Sequence, residues 1–164
     1  MFERRIQAEK GTRLTLVEMA GGVTLTASDE ADILIRLRDG QEEELTIDQT
    51  EDGPVVSARA ACEVLVPASV PVSVRQAAGN LAATDLVELN AEQVRGNLKL
   101  DGVGEAILAE VYGNLKADAT PSLRLVGTVY GDANLRAVST ADLQNIRGNL
   151  QARASDRLRV SRIG

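Results

Sequence analysis

The chain has 164 residues and a net charge of −6; 44% of the residues are hydrophobic, but only 2% are aromatic. This size suits one domain with a core of small aliphatic side chains. The net negative charge and the scarcity of aromatic residues argue against a nucleic-acid partner. No apolar run approaches the roughly 18 residues that a membrane-spanning helix needs. Cys62 is the only cysteine, so the chain cannot form an internal disulfide.

The first 61 residues predict irregular coils of about 17 residues. Segments 4–20, 21–37 and 45–61 each place aliphatic residues such as Leu14 and Leu16 at alternating positions. An acidic insert, 38–53, interrupts them, either as an insertion between coils (38–44) or as the link within a hairpin or partial sandwich. The amino terminus has no apolar stretch, so we expect no signal peptide and favour the cytoplasm. A cell-surface location stays open if the chain is a fragment.

From residue 62 the pattern becomes regular and predicts six coils, 62–164. Gly-Asn-Leu or a close variant begins at Gly79, Gly96, Gly113, Gly131 and Gly148, with spacings of 17, 17, 18 and 17 residues. Counted from each glycine, positions 3, 5, 11, 13 and 16 are aliphatic. Positions 3/5 and 11/13 predict two short strands, and position 16 predicts a third short side. A sustained repeat of this length indicates a solenoid.

We therefore predict an all-β, single-stranded β-helix (β-solenoid) that forms one domain over 1–164. About nine coils stacked in chain order would make a rod roughly 40 Å long. The spacing does not fit a helix, and a pentapeptide repeat is less favoured because no five-residue period is sustained.

Each corner glycine is expected to supply a positive φ. The residue after it should form a structural ladder from coil to coil, since Asn bonds nearby backbone and suits such corners. The predicted corner ladder comprises Gly79, Asn80, Gly96, Asn97, Gly113, Asn114, Gly131, Asp132, Gly148 and Asn149. Cys62 falls at the glycine position of its own coil, which favours a structural role for it.

A second column lies directly before the glycines. Tyr112 and Tyr130 occupy it in adjacent coils, and Arg95 and Arg147 occupy it on either side. This column is either a structural cover for the corner or an interaction face for a ligand or partner.

No catalytic, cofactor or metal site is predicted. The chain has no His, the commonest general base. Paired carboxylates could serve a glycosidase, but the aromatic platforms of such enzymes are missing. The acidic stretch from Asp39 to Asp52 lacks the Asp-x-Asp-x-Asp-Gly pattern of a calcium loop, so we expect a solvated loop.

The last coil carries Arg153, Arg157 and Arg159, with Ile163 at position 16. The end of a solenoid is an unpaired sheet edge that can recruit another chain. Either the arginines block this edge or the end stacks on another copy. Symmetric stacking would give a dimer, and head-to-tail stacking would give a filament.

The passage Val66–Val74 reads V-P-x-x-x-P-V-x-V, and it is followed by Gly-Asn/Asp-aliphatic steps about 17 residues apart. With these motifs, residues 14–164 resemble the bacterial putative-adhesin family, β-solenoid domains of unknown function. The resemblance implies a right-handed coil and a non-enzymatic structural or interaction module that presents a laddered surface to an unknown protein or cell-envelope partner. The glycine corners also resemble those of bactofilins, which implies a self-assembling cytoskeletal polymer as the alternative. A polysaccharide-acting β-helix enzyme ranks third.

Overall fold

A computed structural model describes residues 2–8, 11–38, 41–153 and 155–163. Within them lie eighteen strands and a 3₁₀ turn, Glu42–Glu44. The strands are β1 Phe2–Gln7, β2 Leu14–Met19, β3 Val23–Ser28, β4 Asp32–Leu37, β5 Leu45–Thr50, β6 Gly53–Ala58, β7 Cys62–Pro67, β8 Val72–Val74, β9 Leu81–Thr84, β10 Glu88–Val94, β11 Leu98–Asp101, β12 Glu105–Val111, β13 Leu115–Asp118, β14 Ser122–Val129, β15 Ala133–Arg136, β16 Thr140–Ile146, β17 Leu150–Arg153 and β18 Arg157–Ile163.

Two nine-stranded sheets face each other across one core. Sheet A has the order β1-β4-β7-β3-β9-β11-β13-β15-β17, and sheet B has the order β5-β6-β2-β8-β10-β12-β14-β16-β18. From β8 onward the chain alternates between the sheets, and each strand pairs in parallel with the strand one coil away. This winding of about five turns confirms the predicted all-β solenoid with coils of about 17 residues. Its handedness stays a prediction.

Each regular coil contains two strands, where three short sides were expected. Position 16 belongs to the second strand, which bends so that positions 11, 13 and 16 all point inward. In the β10–β12 pair the register skips one residue between Ala91↔Leu108 and Gln93↔Glu110. The 18-residue coil places its extra residue at this bend, beside Gly127. A Cβ on Gly127 would overlap the Ala109 carbonyl oxygen, so glycine suits the bulge.

The core contains a further column that the sequence prediction missed. Position 8 is buried in four successive coils, as Leu86, Val103, Thr120 and Val138. It lies at the corner between the two strands. The Thr120 hydroxyl donates a hydrogen bond of 3.2 Å to the Asp118 carbonyl oxygen. The inward positions 3, 5, 11, 13 and 16 are buried in these same coils, as predicted.

The corner glycines serve a different purpose from the one predicted. Among the described residues, positive φ occurs at position 7, for example in Asp85 and Gly102, and at none of the glycines that open the coils. Those glycines instead allow close approach. A Cβ on Gly113 would lie 2.7 Å from the Gly96 carbonyl oxygen in the coil below. The prediction of positive φ at these glycines was therefore wrong, and backbone contact between coils explains them.

The amino-terminal third does not stack in chain order. β2 lies between β6 and β8, and β3 lies between β7 and β9, all in parallel. Residues 14–28 therefore form a layer inserted between residues 53–67 and 72–84. At the outer end β4 runs antiparallel to β1 and β7, and β5 runs antiparallel to β6. The prediction of nine coils in chain order was wrong, because the chain reverses between β3 and β4.

Residues 38–44 lead from β4 in sheet A to β5 in sheet B. The first part of the acidic insert therefore connects strands of the two sheets, and the rest of the insert contains β5, which forms a hairpin with β6. Asp39 lies outside the described residues.

Candidate functional site

Four exposed side chains form a column beside the corner glycines, one from each of four successive coils. We call Arg95, Tyr112, Tyr130 and Arg147 the Tyr–Arg stripe. Each follows a buried aliphatic residue, and its backbone N–H donates to a carbonyl oxygen of the preceding coil at 2.8–2.9 Å. The same local geometry therefore aligns all four side chains along the solenoid axis.

The two tyrosine rings of the stripe stack in parallel. Their centroids are 4.8 Å apart and the interplanar angle is 0°. The Arg147 guanidinium carbon lies 5.0 Å from the centroid of the Tyr130 ring. Tyr112 and Tyr130 are 43% and 37% exposed. Since Tyr130 is covered on both faces, the stripe offers ring edges and hydroxyl groups to a partner.

A carboxylate and an amide lie next to this stack. The negative charge of Glu110 is the main cause that raises the pKa of Tyr130, and burial adds to it, while Arg147 acts in the opposite direction. The Glu110 Oε2 atom is buried and has no hydrogen-bond partner among the described residues. Gln93 Nε2 donates to the Tyr112 hydroxyl at 3.3 Å. The surroundings of the stripe are therefore polar and carry both signs of charge.

The predicted corner ladder lies next to the stripe, and it is bonded from coil to coil. The backbone N–H groups of Asn97, Asn114, Asp132 and Asn149 each donate to the side-chain Oδ1 of the ladder residue one coil earlier, at 2.8–2.9 Å. The glycine N–H groups bond the preceding glycine carbonyls at 3.0–3.3 Å. Because Asn80, Asn97, Asn114 and Asp132 use their Oδ1 atoms internally, this column stabilises the stack.

The predicted assembly end is the coil formed by β17 and β18. Its inward positions are open, with Leu158 42% exposed and Ile163 53% exposed. The side chains of Arg153, Arg157 and Arg159 are exposed as well. The structure thus places the apolar and basic residues of this coil on one edge of the solenoid.

Among the side chains that the structure describes, no group of three or more His, Cys, Asp or Glu is arranged to hold a metal ion. Glu43 and Glu44 border a cleft of about 440 Å³ that also contacts Glu18, Arg59 and Gln76. The sequence pattern gave no sign of this cleft, because it forms between the 3₁₀ turn and sheet B. Cys62 is buried, and burial raises the pKa of its thiol to about 12.

No family model and no curated protein matches the chain. Among solved structures, it is similar to a putative cell adhesion protein from Clostridium sporogenes, with 10% identity, 99% of each chain covered and a TM-score of 0.48. It is also similar to a putative adhesin from Parabacteroides merdae, with 11% identity, 99% of this chain and 94% of that chain covered, and a TM-score of 0.33. Likeness of this degree says nothing about activity. None of the described segments is a helix with the length and apolar character needed to cross a membrane.

Proposed function

We propose that the chain is a non-enzymatic, adhesin-like interaction module whose Tyr–Arg stripe contacts a protein partner. The observation that carries the proposal is the exposed, parallel stack of Tyr112 and Tyr130 beside Arg147. Apart from these two tyrosines the chain has only one aromatic residue, Phe2. Tyrosine and arginine are the residue types that recur at the energetic centres of protein interfaces.

The rigidity of the stripe supports this role. Binding costs free energy when side chains must be ordered, and that cost is smaller when they are already fixed. Stacking holds the tyrosine rings, and the strand backbone holds their spacing from coil to coil. The stripe is therefore preorganised for a partner that runs along the solenoid axis.

The covered ring faces favour a protein over a sugar ligand. A sugar ring usually stacks on an open aromatic face, but both faces of Tyr130 and one face of Tyr112 are occupied. Ring edges, hydroxyls and guanidinium groups suit hydrogen bonding to peptide groups and carboxylates instead. The same point counts against the polysaccharide-acting alternative. If the stripe bound a cell-envelope glycan and no protein, the proposed class of partner would be wrong.

The test compares protein capture by the immobilised wild type with capture by a Tyr112→Asn/Tyr130→Asn variant. The matched control is Lys99→Asn/Lys116→Asn, since both lysines are exposed on sheet A of the same two coils. We expect a protein that the wild type and the control retain and the tyrosine variant loses, with all three chains equally folded by circular dichroism. Equal retention by all three would refute the proposal, as would retention of a purified envelope glycan alone.

A further inference from the structure

The two edge strands of sheet B carry opposite charge. β18 bears the exposed Arg157, Arg159 and Arg162 at one end of the sheet. At the other end, β5 and its flanking residues bear mostly exposed acids: Glu43, Glu44, Asp48, Glu51 and Asp52. The ion pairs found among the described residues, such as Arg13 with Glu88 and Arg36 with Glu3, use none of these groups.

Both edges also leave core-facing apolar side chains partly uncovered. In β18, Leu158 and Val160 point inward between the outward-facing arginines. In β5, Leu45 and Ile47 are half-buried against the core, and the alternate residues Thr46 and Asp48 are exposed. The two edges share the same alternation, so an antiparallel pair that sets Arg159 opposite Asp48 would also set Val160 opposite Ile47 on the core-facing side.

We propose that a second copy of this chain is the partner of these edges, with β18 of one copy pairing with β5 of the next. From β18 to β6, every strand of sheet B runs parallel to the next, whereas β5 runs antiparallel to β6. Translation along the solenoid axis therefore brings β18 and β5 together as an antiparallel pair, which is the commoner and slightly more stable arrangement. The contact is head to tail, so it leaves both outer edges free for further copies.

The edge strand β1 of sheet A is less suited to pairing with a second copy. In β1, Arg4 lies on the core-facing side between Phe2 and Ile6, opposite the buried Ile35 in β4. An inward-pointing charge on an edge strand opposes pairing with another chain. The docking surface is therefore assigned to sheet B, and we expect an Arg4→Leu variant to self-associate more tightly than the wild type.

The test is sedimentation velocity of this chain over a concentration series at low and high salt. We expect association that grows with concentration and weakens with salt, because the charges are exposed. Arg159→Glu should raise the dissociation constant about tenfold or more, since like charges would then face each other. Arg124→Glu is the matched control, because Arg124 and Arg159 are both cross-strand neighbours of Asp142 and only Arg159 lies at an edge.

A charge swap identifies the contacting edges. Asp48→Arg alone should weaken association as Arg159→Glu does, and an equimolar mixture of the two variants should restore it. A wild type that stays monomeric at every concentration in low salt would overturn the proposal. Equal effects of Arg159→Glu and Arg124→Glu would overturn it too, as would a mixture that stays dissociated. None of these outcomes bears on the Tyr–Arg stripe, which lies on the side of the solenoid.

Discussion

Replacement of Gly113 by alanine tests whether the corner glycines are required for close contact between coils. A Cβ at this position would overlap Asn97 Oδ1 and lie 2.7 Å and 2.8 Å from the carbonyl oxygen and carbon of Gly96. The Gly96 atoms belong to the backbone and cannot rotate away. The two coils must therefore move apart locally.

The cost follows from the contacts that this movement weakens. The Gly113 N–H donates to the Gly96 carbonyl oxygen at 3.1 Å, and the Asn114 N–H donates to Asn97 Oδ1 at 2.9 Å. Each such bond contributes about 1 kcal/mol net. The steric overlap of the added methyl group destabilises the fold by a further amount of about 1–3 kcal/mol, the usual cost of overpacking. The alanine also lowers the conformational entropy of the unfolded chain, which offsets about 0.4–1 kcal/mol of the loss. We expect Gly113→Ala to lower the free energy of unfolding by about 3 kcal/mol.

Gly22 provides the matched control. It also lies beside a corner, but its nearest neighbour for a Cβ would be the Asn80 carbonyl oxygen at 3.6 Å, an ordinary contact. Gly22→Ala should leave stability unchanged or raise it by up to about 1 kcal/mol. The assay is urea unfolding monitored by circular dichroism, with the slope compared between variants. Equal effects of the two substitutions would refute the close-contact explanation.

Three further predictions concern buried or perturbed groups. Thr120→Val should raise the free energy of unfolding by up to about 1 kcal/mol, because it removes a buried hydroxyl group. The Asp118 carbonyl oxygen, which accepts a hydrogen bond from this hydroxyl, keeps its hydrogen bond from the Gly102 N–H at 3.0 Å. A loss of stability in urea unfolding would contradict this. Burial raises the pKa of the Cys62 thiol from 9.0 to about 12, so its contribution to stability is present below pH 9.0 and lost as pH rises toward about 12. A Cys62→Ala variant should lose less stability between neutral and alkaline pH than the wild type, and parallel pH profiles would count against the assignment. In a Tyr112→Phe background, Glu110→Gln should lower the pKa of Tyr130, because the Glu110 charge is the main cause of its rise; an unmoved ultraviolet titration midpoint would show another cause.

The regular half of the fold could be predicted because each coil repeats the same inward pattern. The step from Leu98 to Leu115 in sheet A is one coil of 17 residues, and the two residues pair in register as the period predicts. The column at position 8 was missed because Thr120 and Ser155 break its apolar character. The role of the glycines was also missed, since a sequence does not tell close approach from positive φ.

The amino-terminal topology could not be predicted from the same pattern. Alternating aliphatic residues such as Val23 and Leu25 show which side of a strand faces the core. They do not show whether the strand runs parallel or antiparallel to its neighbour, or which layer it joins. The order of β2 and β3 is decided by contacts with β6 to β9, which lie much later in the chain.

The Tyr–Arg stripe could be placed from the sequence because its residues precede glycines at the repeat spacing. The parallel stacking of Tyr112 on Tyr130 adds what the spacing alone could not give, namely which ring faces are covered. The influence of Glu110 on Tyr130 depends on the bend in the second strand, which the sequence did not reveal.

The inserted layer of residues 14–28 affects how the chain can fold during synthesis. Residues 14–28 leave the ribosome before 53–67 and 72–84, the segments that flank them on both sides. β2 and β3 therefore stay unpaired until these later strands have been synthesised. Their pairing then closes long loops, which costs conformational entropy. Each coil after residue 79, by contrast, meets a finished edge as soon as it emerges and can add to it directly. The amino-terminal half is therefore expected to form slowly as one cooperative nucleus, and the carboxy-terminal half to elongate from it coil by coil.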